Sequence, residues 1–235
     1  MAVTTDDYLV ITGGSRGIGF ATAQRFAAHG YRVVNLSRTP IDLPSAIHID
    51  VDLGARDWSV AIAAQLRDAV AGARTIALVH NSAVQIPGAV GAVRESDLRA
   101  MLEVNVIAPM LLNRLLLERM PAGSSVLYIG STLSQRATAQ MAVYVTCKHA
   151  LLGLMRSTCQ DLAGTGIHTA LICPGFTDTE MLRGFGGEAL ERLANLSTQR
   201  RLIQPQEIAA VVHFAATQAV VNGSALGADL GFVEH

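Results

Sequence analysis

Aromatic residues, charged residues and cysteines are all scarce in this chain, and each scarcity excludes a class of protein. Aromatics make up 5% and charged residues 16% of the 235 residues, whereas hydrophobic residues make up 50%. Disordered chains show the opposite balance, so the composition predicts a compact globular protein. The net charge is −1 and no basic block is present, which argues against binding to nucleic acid or to an anionic membrane.

The three cysteines, Cys147, Cys159 and Cys173, follow no regular spacing and form no C-x-x-C pair. An odd, irregular set predicts no disulfide framework and favours a reducing compartment. The segment 1–8 lacks the basic and then apolar pattern of a signal peptide, and no run of apolar letters approaches the length needed to span a bilayer. We therefore expect a cytoplasmic protein. Its seven histidines lack the spacing of metal ligands, so we expect no catalytic metal.

Short apolar runs alternate with longer amphipathic stretches along the whole chain. Strands are predicted over 9–11, 32–36, 46–49, 75–79, 125–129, 168–172 and 225–228, and helices over 18–28, 58–70, 97–118, 143–162 and 205–216. Strands separated by helices pair in parallel through right-handed crossovers. The pattern predicts an α/β fold: one doubly wound Rossmann domain over 1–235, with a mostly parallel seven-stranded sheet and helices on both faces. The glycine-rich stretch 175–187 is predicted to be an irregular lid over a site.

A glycine-rich turn, Thr12-Gly13-Gly14-Ser15-Arg16-Gly17-Ile18-Gly19, joins the first predicted strand to the first predicted helix. Glycines permit close backbone approach, and the helix N-terminus offers free N–H groups to a phosphate. Its spacing is G-x-x-x-G-x-G rather than G-x-G-x-x-G, and it resembles the signature of the short-chain dehydrogenase/reductase (SDR) family. The resemblance implies a nicotinamide dinucleotide cofactor, with Gly13, Ser15, Arg16, Gly17, Ile18 and Gly19 among its contacts.

The end of the second predicted strand bears on the choice of cofactor. A carboxylate there would bind a ribose 2′-hydroxyl and repel a 2′-phosphate. This chain has Ser37 and Arg38 instead, and Arg16 of the glycine turn could approach the same phosphate. We expect NADP(H) to be favoured, with NAD(H) left open.

Two further segments resemble cofactor contacts of the family. Asp52 and Leu53, after the third strand, resemble its adenine-binding pair, although Asp50 is a competing alignment. His80-Asn81-Ser82-Ala83 stands where the family usually has Asn-Asn-Ala-Gly, and only Asn81 matches. His80 and Ala83 are departures, so the geometry near the adenine ribose is an open question. The cofactor contacts implied here are Asp52, Leu53, Asn81, Ser82 and Ala83.

Tyr144 and Lys148 form a Y-x-x-x-K pair on one face of a predicted helix. Hydride transfer to a carbonyl leaves an alkoxide that needs a proton, and a phenol can supply it. A nearby ammonium is expected to lower the phenol pKa. Ser131 lies thirteen residues before Tyr144, at the end of the fifth strand, which is the family's serine spacing; Ser134 is a weaker alternative.

The resemblance completes this set with Asn105, implied to perturb its helix and hold a proton-relaying water. An asparagine inside an apolar helix face needs buried partners, which supports a special role for it.

Pro174-Gly175-Phe176-Thr177-Asp178-Thr179, after the sixth strand, resembles the family's P-G-x-x-x-T segment. The resemblance implies that Pro174, Gly175, Thr177 and Thr179 contact the cofactor around the nicotinamide, as Tyr144 and Lys148 also do. Cys173 is interpreted as a small buried residue. The resemblance extends from about Val10 to Gly231 and is closest to the 3-oxoacyl-carrier-protein reductase and acetoacetyl-CoA reductase type.

The expected activity is NADPH-dependent reduction of a ketone or β-ketoacyl carbonyl. Two alternatives stay open: a dehydrogenase of a small alcohol, sugar or steroid, and an NADP-binding sensor without turnover. The expected partners are a small carbonyl or acyl-thioester substrate and further copies of the chain. The two long helices carry more apolar surface than one sheet face needs, and in the family such faces build dimers and tetramers, so we expect a tetramer or a dimer.

Overall fold

The computed structural model describes residues 6–184 and 186–232. Its centre is one seven-stranded sheet in which every strand pairs in parallel, in the order β3-β2-β1-β4-β5-β6-β7. The strands are β1 (Asp7–Thr12), β2 (Arg32–Ser37), β3 (Ile47–Asp50), β4 (Thr75–His80), β5 (Ser125–Ile129), β6 (His168–Pro174) and β7 (Ser224–Ala228). The predicted doubly wound Rossmann fold is confirmed, and the sheet is wholly parallel.

Eight α-helices connect these strands in the described part of the chain. They are α1 (Gly17–Ala28), α2 (Trp58–Ala69), α3 (Glu95–Leu102), α4 (Ala108–Leu116), α5 (Ala142–Asp161), α6 (Glu180–Arg183), α7 (Gly187–Asn195) and α8 (Pro205–Thr217). A five-residue π-helical segment, Glu103–Ile107, joins α3 to α4. Short 3₁₀ turns occupy Val90–Ala92, Leu117–Arg119, Thr132–Ser134 and Ala219–Val221.

Alternating residues of β1 show how the sheet divides the core. Leu9 and Ile11 join the cluster on the α1 and α8 side, whereas Tyr8 and Val10 join the cluster that includes residues of α2, α4 and α5. Both faces of the strand are therefore covered, as near-continuous apolar runs in a parallel sheet require. The carboxyl ends of all seven strands point to one edge, and the first turns of the connections assemble there.

Two expectations about the chain need correction. The stretch 175–187 is not wholly irregular, because Thr179 caps α6 by accepting a hydrogen bond from the Leu182 amide at 3.4 Å. α7 follows directly, and Phe185 lies outside the described residues. The helical run Glu95–Arg119 is also long and apolar enough, by length and composition alone, to cross a membrane, and 39% of its most apolar window is buried. Polar letters break this run in the sequence, but averaged along the helix it is apolar.

Candidate active site

The glycine turn lies between β1 and α1 and has almost no room for side chains. Gly13 (φ +67°) and Gly17 (φ +54°) adopt backbone conformations that side-chain-bearing residues rarely take. A Cβ on Gly19 would overlap the carbonyl oxygen of Gly13. Asn35 of β2 fixes the turn from the side, because its Oδ1 accepts a hydrogen bond from the Gly14 amide at 2.8 Å. The turn is thus a rigid backbone cradle.

The N-terminus of α1 fits a phosphate group. Arg16 is the N-cap residue, and its side chain makes no capping hydrogen bond to the first turn. The first-turn N–H groups of an α-helix have no partner inside the helix, and their dipole favours negative charge. Because the cradle beside them excludes side chains, a dinucleotide pyrophosphate fits there without displacing protein atoms.

The end of β2 carries hydroxyl and amide groups and an exposed cation, but no carboxylate. The Oγ atoms of Ser15 and Ser37 are 2.9 Å apart, and Asn35 Nδ2 donates to Ser37 Oγ at 2.9 Å. Arg38 lines the cleft without a hydrogen-bond or ion-pair partner among the described residues. Arg16 also lines it and contacts Glu180 of α6 at 3.3 Å. Both arginines therefore line the same cleft.

The end of the cleft that follows β3 distinguishes the two candidate aspartates. Asp52 and Leu53 line the cleft, whereas Asp50, on β3, does not. The Asp52 carboxylate accepts a hydrogen bond from the Gly54 amide at 3.0 Å. Asn81 donates from Nδ2 to the carbonyl oxygens of Thr12 and Gly13, at 3.0 Å each, and so ties β4 to the glycine turn. Ser82 and Ala83 line the cleft next to it.

His80 points away from the cleft. Its Nε2 lies 2.8 Å from Oδ1 of Asn113, and its ring stacks on Tyr128 with centroids 4.8 Å apart. Burial lowers the pKa of His80 to about 4, so the ring is neutral at physiological pH. Asn113 in turn donates to the Tyr128 hydroxyl at 2.7 Å, which lies 3.1 Å from that of Thr158. This departure from the family pattern therefore builds a buried polar chain between β4 and α5.

Tyr144 and Lys148 lie one turn apart on the buried face of α5, and both line the cleft. Lys148 Nζ donates to the carbonyl oxygen of Ile129 at 2.8 Å and lies 5.4 Å from the centre of the Tyr144 ring. The strand end of β5 thus fixes the ammonium beneath the phenol. The i, i+4 spacing was enough to predict this juxtaposition.

The pKa values of this pair differ from the expected direction. Burial, followed by the nearby Cys147 thiol, raises the pKa of Tyr144 to about 12. Burial also lowers the pKa of Lys148 to about 8, against smaller opposing effects of Cys147 and Cys173. Burial is thus the main cause of both shifts, and Tyr144 is a neutral phenol here.

Ser131 and its alternative are clearly separated by geometry. Ser131 lines the cleft, and its Oγ accepts a hydrogen bond from the Leu133 amide at 3.1 Å. Ser134 is fully buried behind it and accepts from the Ser131 amide at 3.1 Å. Ser134 is therefore a support for the turn, and only Ser131 is presented to the cleft.

Asn105 lies in the π-helical segment and is 1% exposed. Its Oδ1 accepts from the Val84 amide at 2.7 Å, and its Nδ2 donates to the Val84 carbonyl at 2.8 Å. The expected perturbation of the helix is present, since a π segment is a local widening of an α-helix. Asn105 does not itself line the cleft, but it positions Val84, which does.

The segment after β6 forms the opposite wall. Pro174, Gly175, Thr177 and Thr179 all line the cleft. A Cβ on Gly175 would come within 2.9 Å of the Asp229 Cα atom, so only glycine fits there. Thr179 lies beside the glycine turn: a Cβ added to Gly17 would come within 3.3 Å of its methyl group. Cys173 is 5% exposed and buried beneath this wall, as interpreted.

The sequence interpretation missed the apolar end of the cleft. The whole cleft has a volume of about 1050 Å³, and its end beyond Tyr144 is lined mainly by apolar side chains: Leu133, Met141, Phe176, Met181, Leu182, Ala189, Leu193, Leu196 and Phe232. Three of these belong to one helical face in or next to α7. Their i, i+4, i+7 spacing is the signal that could have located the helix.

Among residues 6–184 and 186–232, no group of three His, Cys, Asp or Glu side chains could hold a metal ion.

The chain is similar to several known proteins over most of its length. Residues 13–233 match the family model described as enoyl-(acyl carrier protein) reductase. Protein FixR of Bradyrhizobium diazoefficiens is 31% identical over 90% of this chain and 80% of its own length. Carbonyl reductase family member 4 of Danio rerio is 28% identical over 94% of this chain and 96% of its own.

A solved structure of a short-chain dehydrogenase from Burkholderia cenocepacia, in complex with NADP, superimposes with a TM-score of 0.85 at 26% identity, covering 97% of this chain and 98% of that one. The fold, the glycine turn and these matches agree. The chain belongs to the short-chain dehydrogenase/reductase family of oxidoreductases.

Proposed function

We propose that this protein is an NADPH-dependent reductase that transfers hydride to a ketone or β-ketoacyl-type carbonyl, with Tyr144 as the proton donor. The observation that carries the proposal is that Ser131, Tyr144 and Lys148 line the same cleft as the glycine turn. The bound cofactor would supply the hydride.

The cofactor would be held along the whole length of the cleft. The residues proposed to hold it are Gly13, Ser15, Arg16, Gly17, Ile18, Gly19, Ser37, Arg38, Asp52, Leu53, Asn81, Ser82, Ala83, Tyr144, Lys148, Pro174, Gly175, Thr177 and Thr179, all of which line the cleft. The phosphate-bearing form is favoured because β2 ends without a carboxylate and the unpartnered Arg38 follows it. The NADP complex of the Burkholderia relative supports the same choice.

Each chemical group has a role that follows from its contacts. Ser131 Oγ accepts from the Leu133 amide, so its own O–H is left to donate to the substrate carbonyl oxygen. Tyr144 is a neutral phenol and can give its proton to the alkoxide oxygen, a far stronger base. Lys148 uses one N–H on Ile129, leaving two for the cofactor ribose and the phenol oxygen.

Removing the phenol hydroxyl tests the chemical step. Tyr144→Phe should lower kcat by about 10²- to 10⁴-fold, the usual contribution of a general acid, while NADPH affinity changes less than about twofold. Tyr31→Phe, in an aromatic cluster away from the cleft, is the matched control. Turnover would be followed by NADPH absorbance with ketones and β-ketoacyl thioesters. A Tyr144→Phe variant with near wild-type kcat would exclude the proposed donor.

Separate titrations with NADPH and NADH, followed by nicotinamide fluorescence, test the cofactor. Arg38→Gln should weaken the affinity for NADPH by about tenfold, the loss expected for a charged hydrogen bond, and leave the affinity for NADH nearly unchanged. Exposed Arg56, outside the cleft, serves as the control site. Tighter binding of NADH by the wild type would favour the alcohol dehydrogenase alternative. Binding without turnover of any carbonyl or alcohol would favour the sensor.

We also propose that the chain is a tetramer or dimer associated through the run Glu95–Arg119 and α5. Ile107 and Met110 of that run are 37% and 52% exposed. Light scattering on the purified protein tests this, and Met110→Glu should shift the mass toward the monomer. A wild-type monomer at micromolar concentration would contradict it.

A further inference from the structure

Arg192 differs from two other arginines near the lid, Arg183 and Arg201. It lies on α7 and lines the cleft, yet it has no hydrogen-bond or ion-pair partner among the described residues. Its neighbours are held by carboxylates: Arg183 binds Asp178 at 2.7 and 3.0 Å, and Arg201 binds Glu207 at 2.7 and 2.8 Å. Arg192 is thus a cation that faces the cleft unneutralised.

The helix itself offers Arg192 a partner that it does not take. Glu188 lies one turn before it, in the order that favours an ion pair on a helix surface. The two are nevertheless unpaired, and Glu188 does not line the cleft. Arg192 lines the cleft together with Ala189, Leu193 and Leu196 of the same helical segment.

No acidic group of the cleft is left to neutralise Arg192. Two carboxylates line the cleft among the described residues. Asp52 lies at the end of the cleft that follows β3 and accepts from the Gly54 amide. Glu180 is already paired with Arg16. An apolar substrate without charge would therefore cover the guanidinium and remove its water without returning a partner, which is costly.

We propose that Arg192 forms an anion subsite, so that the preferred substrate carries a carboxylate or phosphate on an otherwise apolar body. This inference rests on the proposed function, since it deepens the specificity of the same cleft. The planar fork of the guanidinium binds either anion through two parallel hydrogen bonds. Leu193 and Leu196, on the same helical face, would contact the apolar part of the substrate. Arg192 is a specificity-determining residue, and the reacting carbonyl stays with Ser131 and Tyr144.

Binding to the protein saturated with NADP⁺ tests the subsite without requiring turnover. The probes are 8-oxononanoate and 5-oxohexanoate, each compared with its methyl ester by calorimetry, and acetoacetyl-pantetheine compared with its 4′-phosphate. We expect at least one anion to bind about tenfold or more tightly than its neutral partner. The pair that shows this preference tells whether the anion is a carboxylate on the substrate chain or a phosphate on a carrier arm.

Arg192→Gln should abolish that preference, because it should weaken binding of the anionic probe far more than binding of its neutral partner. Arg183→Gln, on the same lid but outside the cleft, is the matched control and should keep the preference. Equal binding of anion and neutral probe in all three pairs by the wild type would overturn the subsite. If Arg192→Gln lost as much affinity for NADPH as for the anionic probe, the subsite would be overturned as well, because Arg192 would then bind the phosphate of the cofactor.

Turnover of the same probes with NADPH separates this inference from the function on which it rests. Preference for the anion in binding with no turnover would leave the subsite standing and overturn the reductase proposal. Turnover of acid and ester with equal kcat/KM would overturn the subsite and leave the reductase proposal standing.

Discussion

Across the cleft, the glycine turn and the lid helices α6 and α7 face each other but differ in how they are held. The glycine turn is fixed by buried Asn35 from β2 and by Asn81 from β4, and its neighbouring strands are almost fully buried. The lid helices contain no buried residue; Met181 of α6 is 51% exposed, and Leu196, next to the end of α7, is 42% exposed. Few packed contacts mean low local stability. One wall of the cleft is therefore fixed by buried hydrogen bonds, whereas the other is held by few packed contacts.

Adding one methyl group to each wall should reveal the contrast most strongly. Gly19→Ala places a Cβ on the Gly13 carbonyl oxygen, whereas a Cβ on Gly187 meets nothing within 4 Å. We expect Gly19→Ala to lower the free energy of unfolding by about 4 kcal/mol or more, or to prevent folding, because backbone must move. Gly187→Ala should be neutral or stabilising by up to about 1 kcal/mol. Denaturant melts of both variants measure this, and equal effects would show that the walls are equally rigid.

Acid should lower the stability of the whole fold through His80, the residue that precedes Asn81 at the end of β4. Because burial lowers its pKa to about 4, the unfolded chain takes up a proton below the ordinary pKa of 6.5 while the folded chain does not. Stability is full above about pH 6.5 and falls as the pH drops toward 4, by an upper limit of about 3 kcal/mol. His80→Asn should flatten this slope, measured by urea unfolding between pH 7 and 4. Exposed His149→Asn should leave it unchanged; a slope unaltered in both variants would exclude His80 as its source.

Alkaline pH should act on the reaction while both walls stay folded. The pKa of Lys148 is lowered to about 8 and that of Tyr144 is raised to about 12, both by burial. We therefore expect kcat/KM for reduction, which reports the pKa values of the free protein, to fall above about pH 8, by about tenfold at pH 9, because Lys148 loses its charge while Tyr144 keeps its proton. Stopped-flow rates with NADPH from pH 6 to 10 measure this. Lys148→Met should abolish this decrease in rate above about pH 8. A wild-type rate that stays constant up to pH 10 would show that the charge of Lys148 is not needed.

The same contrast explains what could be predicted from the sequence. Every strand was located to within two residues, because buried parallel strands are short apolar runs between turn signals. The glycine turn and the set of Ser131, Tyr144 and Lys148 follow from fixed spacings along strand ends and one helix face. The lid helices could not be predicted in this way, because α7 packs against little protein and its apolar residues line the cleft instead of the core.

Two features depended on tertiary surroundings that no local pattern contains. The direction of His80 is decided by Asn113 and Tyr128, residues distant in sequence that give its ring a hydrogen bond and a stacking surface in the core. The high pKa of Tyr144 is decided by burial, which the Y-x-x-x-K spacing does not reveal. Both outcomes required the packed structure, because desolvation is a property of the whole environment.

The π-helical segment Glu103–Ile107 limits how this chain can change during evolution. A π turn accommodates one residue more than an α turn, and each residue of an α-helix advances the direction of its side chains by about 100°. Leu112 and Leu116, beyond the segment, pack into the main core cluster on one face of the sheet, whereas Met101, before it, packs against Val143, Tyr144 and Cys147 of α5. Both contacts are therefore kept only while the extra residue is present. Single substitutions in this segment are tolerable in principle, whereas deletion of one residue would rotate half of the helix away from the sheet and release Val84 from Asn105 in the same event.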